Sequence, residues 1–193
     1  SRFNPYLGYP LRVCCVPPIA DGASAYIITK PDKAKNYKET PIDIMGFGWC
    51  TDPYPFYEKD PYEWTFEMIA AKNAYKMAGI EPKDIDYLQV GDCSLSEYFA
   101  FAEGAGYFER GQAWKYYRDG RISFDEDRPV NTNGGHLGFG NAYAATSGAD
   151  LYEITKQMRG QARGRQIKPE PEIAVWQADG IGAEAAVTVL RRR

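Results

Sequence analysis

Apolar residues recur along this chain with two different periods, and each change of period marks an element. Ala23-Ser24-Ala25-Tyr26-Ile27-Ile28-Thr29 follows the turn signal Asp21-Gly22 and reads as a short buried strand. Ile42 to Phe47 is a second strand. Trp64, Met68, Ala71, Tyr75 and Ala78 then fall at steps of three and four, which predicts a helix. Asp60-Pro61 opens that helix and Gly79 closes it. Asp86 to Val90 is a strand ending at Gly91-Asp92-Cys93. Ser94 to Phe108 reads as a helix capped by Ser94 or Ser96. Ala142 to Met158 is a helix entered directly from a Gly/Asn loop. Ile173 to Gln177 and Ala185 to Leu190 are strands joined through Asp179-Gly180-Ile181-Gly182, and so short a connection predicts an antiparallel pair.

The polar segments between them set the organisation. Residues 1–20 are rich in Pro, Tyr and Cys and show no period, so they read as loop and extended chain without a sheet partner. Lys30 to Pro41 is a polar linker. Cys50 to Pro61 holds three prolines and is long enough for a functional loop. Gly111 to Arg128 is polar, aromatic and irregular. The order is strand, strand, helix, strand, helix, helix, strand, strand, which is an α/β fold with a mixed sheet. The strand at 23–29 is tied by the linker to an otherwise self-contained α/β unit. Residues 1–40 therefore read as the tail of a preceding domain, and 41–193 as a domain of their own.

Composition narrows the chemistry. The chain has 193 residues and a net charge of -3, which gives no electrostatic reason to expect nucleic acid or an anionic membrane. No apolar stretch approaches the roughly 20 residues needed to span a bilayer. The opening Ser1-Arg2-Phe3-Asn4-Pro5 lacks an apolar signal region, so a cytoplasmic protein is the expectation. One histidine cannot build a metal cluster, and Cys14, Cys15, Cys50 and Cys93 lack zinc-finger spacing, so no metal is expected.

Three loops carry candidate chemistry. Pro129 to Asn141 contains four Gly and three Asn in 13 residues just before a helix. Such a loop suits a tight turn in the core, or backbone N–H groups aimed at an anion or developing oxyanion. Gly91-Asp92-Cys93-Ser94 lies at a strand end and a helix start, where α/β folds place ligands. Cys93 there is either a buried structural thiol or the best nucleophile or acid/base of the four. Gly180-Ile181-Gly182-Ala183-Glu184-Ala185 matches a dinucleotide fingerprint only superficially, because a strand follows it rather than a helix. His136 is a base or a hydrogen-bonded structural residue.

Several segments, in order, resemble the C-terminal half of the thiolase superfamily, specifically sterol carrier protein-type thiolases and their archaeal relatives. Asp21-Gly22-Ala23-Ser24-Ala25 is similar to the D-G-A-A-A strand that ends the N-terminal half. Ala78-Gly79-Ile80-Glu81-Pro82-Lys83-Asp84-Ile85-Asp86 resembles A-G-I-x-P-x-D-I-D. Pro129 to Gly135 resembles P-V-N-x-x-G-G, and Met158-Arg159-Gly160-Gln161-Ala162 resembles L-R-G-E/Q-A. The resemblance implies a thiolase-like α/β half-fold, with a mixed five-stranded sheet flanked by helices, packed against a sister half. Residues 23–29 would then belong to the other half's sheet.

The same resemblance implies acyl transfer, or carbon–carbon cleavage by a lyase, on acyl-CoA in lipid metabolism. Coenzyme A would be a co-substrate, with no bound cofactor. The acyl-accepting Cys of the family lies in the N-terminal half, outside this chain. Cys93 stands at the acid/base Cys of the H-D-C-F loop, whose His is replaced by Gly91. Asn141 stands at the base His of G-H-P-x-G. Ala178-Asp179-Gly180 stands near the family's C-x-G without its Cys. Both family imidazoles are thus missing, and His136 matches neither position. The catalytic candidates are Cys93, Asn141, His136 and Tyr143, with Asp92, Gly135, Gly140 and Gly180 shaping the oxyanion and substrate loops. The alternative is a catalytically degenerate subunit that scaffolds a partner. The resemblance further implies a homo- or hetero-oligomer with an N-terminal thiolase half or sister subunit. An OB-fold/zinc-ribbon partner is also implied, as in the thiolase-like aldolase of steroid side-chain breakdown.

Overall fold

The computed structural model describes residues 2–37, 40–52, 64–180 and 183–193. The predicted helix start at Asp60-Pro61 and the turn residues Ile181 and Gly182 lie outside them. Near the N-terminus, β1 (Tyr6–Gly8) and β2 (Leu11–Arg12) pair antiparallel. That hairpin corrects the expectation that residues 1–20 lack a sheet partner. The linker region holds one short helix, α1 (Pro31–Ala34).

The main sheet contains four strands: β3 (Ile42–Thr51), β4 (Tyr87–Gln89), β5 (Ile173–Asp179) and β6 (Glu184–Arg192). Their order is β3-β6-β5-β4. β3 and β5 run antiparallel to β6, and β4 runs parallel to β5. The mixed sheet and the antiparallel β5–β6 pair are as expected, but the strand count is four rather than five. Residues 21–30 form no ladder, and Tyr26, Ile27 and Ile28 are exposed. An apolar run becomes a strand only where a neighbour can take its backbone hydrogen bonds, and none of the described residues pairs with it.

Helices cover both sheet faces. On one, α2 (Thr65–Ala78), α3 (Leu95–Gly104) and α4 (Ala113–Arg118) enclose Leu88, Val90, Val175, Ala185, Val187 and Val189. On the other, α6 (Ala144–Met158) brings Ile154 and Met158 onto Tyr87, Ala174 and Leu190. The segment 113–118, expected to be irregular, is helical.

The α2–β3 contact is unusually close because of two glycines. A Cβ on Gly46 would lie 2.3 Å from the Ala74 carbonyl oxygen, and one on Gly48 would lie 1.9 Å from that of Ala70. Only small residues permit such an approach, so α2 buries Ala70, Ala71 and Ala74. Its inward face is rotated from the predicted stripe, leaving Met68 half exposed and Glu67 fully buried. Gly79 adopts φ 70° and ends the helix with its N–H on the Tyr75 carbonyl, as a left-handed cap should. Ser94 caps α3 by accepting from the Glu97 N–H.

Candidate active site

Three chain segments meet at Cys93. The first is the end of β4, where the polypeptide turns through Gly91 and Asp92 into α3. The second is the Gly/Asn loop, which contains α5 (Gly135–Phe139) before α6 begins. Asn131 joins these two. Its side chain accepts from the Val90 N–H at 2.9 Å and donates to the Val90 carbonyl at 3.0 Å. It thereby extends the strand's hydrogen bonding into the loop. The third segment is residues 18–24. Asn141 donates its N–H to Pro18 and accepts from the Ala20 N–H.

Asp92 shapes the loop from below. Its carboxylate accepts from the His136 N–H at 2.7 Å and the Leu137 N–H at 3.3 Å. Gly135, at φ 63°, permits this, because a Cβ there would sit 2.2 Å from Asp92 Oδ2. The expected free N–H groups of the loop are therefore engaged internally. Gly135 donates to Asn133 and Gly140 donates to the His136 carbonyl. Gly180 likewise donates to the Glu184 carbonyl in the β5–β6 connection. These glycines give the loops their shape.

The donor that faces the thiol is the Asn141 side chain, whose Nδ2 lies 3.1 Å from Cys93 Sγ. Asn141 Oδ1 in turn accepts from the Tyr143 N–H at 2.8 Å. Tyr143 itself is 71% exposed, and among the described residues only its backbone joins the cluster. Its phenol is thus not gathered with Cys93, Asn141 and His136.

His136, the sole imidazole, is buried beside the thiol. Its Nδ1 is 3.9 Å from Cys93 Sγ, and its Nε2 is 2.9 Å from Asp150 Oδ2. Asp92 Oδ1 lies 3.7 Å from Nδ1. Burial opposes a charged ring. The Asp150 hydrogen bond, the Cys93 contact and the two carboxylates outweigh it, raising the pKa from 6.5 to about 10. Burial raises Asp92 to about 6, with His136 and the loop N–H groups pulling the other way. Asp150 is raised by burial and opposed by His136. At neutral pH the imidazole is the cation of this cluster.

Sequence reasoning missed Asp150 and what lies behind it. Gln89 donates to Asp150 Oδ1 at 2.8 Å and accepts a short hydrogen bond from the Tyr87 hydroxyl. Thr132 links Tyr87 to Glu153, and Glu153 accepts from Arg165. The signal was present: Thr146, Asp150, Glu153 and Gln157 recur at helical spacing along α6, and all four are buried. A polar stripe of that spacing ordinarily marks the solvated face of a helix.

The charge set suits proton handling beside a thiol. Among the described residues no group of three His, Cys, Asp or Glu side chains is arranged to hold an ion, and all four thiols are free. No helix is long and apolar enough to cross a membrane among those residues.

Residues 56–192 match the family described as thiolase C-terminal domain-like. The chain is 33% identical over 184 residues to an acetyl-CoA acetyltransferase of Methanothermobacter thermautotrophicus, spanning 95% of this chain and 48% of that protein. It is 29% identical over 184 residues to sterol carrier protein 2 of Oryctolagus cuniculus, spanning 92% and 33% respectively. The solved structure of the Ltp2-ChsH2(DUF35) aldolase superposes with a TM-score of 0.82 at 19% identity, covering 99% of this chain and 50% of that one. The chain thus spans half or less of the length of each of these proteins.

Proposed function

Since the chain belongs to the thiolase C-terminal domain-like family, we propose that it is the C-terminal part of an enzyme that makes or breaks a carbon–carbon bond in an acyl-CoA. The reaction class is acyl transfer or retro-aldol cleavage, with coenzyme A as co-substrate. One observation carries the reading: Cys93, Asn141 and His136 converge at the loop that opens α6.

Cys93 serves as the acid/base group. Its thiolate takes a proton from the carbon beside the thioester carbonyl, or its thiol returns one to it. Asn141 replaces the family's imidazole base and cannot take a proton at neutral pH. Its Nδ2 can donate to the sulfur or to the enolate oxygen that develops when the proton leaves, which is the role of an oxyanion donor. His136 supplies the positive charge that the two vacated imidazole positions, Gly91 and Asn141, no longer give.

The acyl-accepting Cys belongs to an N-terminal thiolase half or a sister subunit. An unpaired apolar surface supports that arrangement. Phe47 and Trp49 of β3 alternate with Gly46 and Gly48, so they point away from α2, and each is about half exposed. Residues 1–40 are the tail of that half in this reading. The similar aldolase bears a two-component name, Ltp2-ChsH2(DUF35), which supports a second partner for this chain, and the family resemblance makes that partner an OB-fold/zinc-ribbon protein.

The test is to incubate the native assembly with a panel of acyl-CoA and β-hydroxyacyl-CoA thioesters. Intact-mass measurement detects an acyl adduct, and chromatography detects released CoA or cleaved acyl product. An adduct or a cleavage product is the expected result. If every thioester is recovered unchanged, the chain is a scaffold and the enzymatic reading fails.

A further inference from the structure

We propose that Asp150 is a positioning residue that fixes the His136 ring with Nδ1 toward Cys93, and through that orientation sets the reactivity of the thiol. The inference rests on the reading of Cys93 as the acid/base group, but its test requires no turnover.

The geometry orients the ring. Asp150 Oδ2, 2.9 Å from Nε2, is an acceptor, so Nε2 carries hydrogen. Gln89 holds the other oxygen of Asp150 at 2.8 Å, and Gln89 is itself fixed by Tyr87. Asp150, Gln89 and Tyr87 are all buried, so water does not compete for these bonds. The ring is therefore oriented by a second layer of side chains before any substrate arrives.

Nδ1 then has two neighbours, Cys93 Sγ at 3.9 Å and Asp92 Oδ1 at 3.7 Å. Asp92 also holds the loop through two backbone N–H bonds, and of the two neighbours Cys93 is the one with a thiol proton to exchange. The Cys93 S–H proton passes to Nδ1 and the sulfur keeps the electron pair. His136 becomes doubly protonated, donating to Asp150 through Nε2. The Asn141 Nδ2–H, 3.1 Å from the sulfur, stabilises the resulting negative charge. A base oriented by a third group next to a thiol is the general arrangement of an activated cysteine. The titratable groups facing the ring are Asp92 from the β4–α3 turn, Asp150 from α6 and Cys93. Glu97 lies beyond Asp92 on α3, and Tyr87 and Glu153 lie beyond Asp150.

Two measurements on the native assembly test this. Nitrogen NMR of histidine-labelled protein reports the ring, with the signal lost in His136→Gln assigned to His136. The expected result is a doubly protonated ring at pH 7. Iodoacetamide labelling with peptide mapping separates Cys93 from Cys14, Cys15 and Cys50. The rate at Cys93 in the unaltered protein at pH 7 is the reference. In Asp150→Asn the Cys93 labelling rate at pH 7 should fall about tenfold and the ring should become neutral. Asp150→Glu should restore part of the rate. A neutral His136 at pH 7 in the unaltered protein overturns the proposal, and it does so even if Asp150→Asn fails to fold. An unchanged Cys93 labelling rate at pH 7 in a folded Asp150→Asn variant overturns it as well. If no thioester is turned over but these signatures are present, the proton relay stands and the enzymatic reading alone fails.

Discussion

The side-chain nitrogen of Asn141 lies 3.1 Å from the sulfur of Cys93, across 48 residues of sequence. The contact joins a strand-end loop to the start of α6, and it places a neutral donor against the thiol. Asn141→Ala removes that donor. We expect turnover of the thioester substrate to fall about 100-fold, the scale measured for loss of one oxyanion donor. Steady-state kinetics should show the loss in kcat rather than KM. A change confined to KM would assign Asn141 to substrate binding alone.

Cys93→Ala removes the group that exchanges the proton. Its turnover should drop at least ~100-fold, with the melting temperature nearly unchanged because the thiol is small and partly exposed. Cys93→Ser should be similarly impaired, since a hydroxyl beside His136 does not ionise at neutral pH. Rates equal to the unaltered protein in either variant would remove Cys93 from the mechanism.

Glu67 predicts a pH dependence of stability. Its carboxyl is fully buried on α2, with the Gln177 side chain beside it. Burial raises its pKa well above 4.5, helped by Asp179 and opposed by Gln177. A raised folded-state pKa means the folded protein holds the proton that the unfolded chain releases. The contribution is therefore complete below pH 4.5 and is lost as pH rises toward the folded value, at up to about 1.4 kcal/mol per pH unit. Glu67→Gln cannot ionise and should lose less stability between pH 5 and pH 8. Chemical denaturation at both pH values measures the difference, and parallel losses in the two proteins would contradict the assignment.

Gly48→Ala tests the close contact of α2 on β3. The added methyl would meet the Ala70 carbonyl at 1.9 Å, and backbone rather than a flexible side chain must give way. A loss of about 1–3 kcal/mol is expected by denaturant titration. Gly111→Ala serves as a comparison of a different kind, because open space surrounds that position and only its φ of 73° opposes the change.

Much of the fold was written in local patterns. The β5–β6 pair follows from two apolar runs and a short connection, and α3 follows from Ser94 and the residues after it. The convergence of Cys93, Asn141 and His136 was foreshadowed by a cysteine at a helix start and a glycine-rich loop before another helix. What could not be read depends on contacts distant in sequence. Asp150 lies on a stripe that has the spacing of a solvated helix face, and only the fold shows that this face is turned inward. The inward face of α2 is set by Gly46 and Gly48 on another element, which favours alanines over Met68. The apolar run at 23–29 has the composition of a strand, but composition does not supply the neighbouring backbone that a ladder requires.

The hydrogen bonds between Asn141 and residues 18–20 have a practical bearing on how the protein is handled. A domain trimmed to begin after residue 40 would keep the entire main sheet and every side chain around Cys93. It would still lose the segment that clasps Asn141 from outside and the Ser24 side chain that sits against Gly148. Ownership of the site is therefore shared between the sheet domain and the strand of chain leading to it, and a tidy truncation that preserves the fold would leave the Asn141 donor without its anchor.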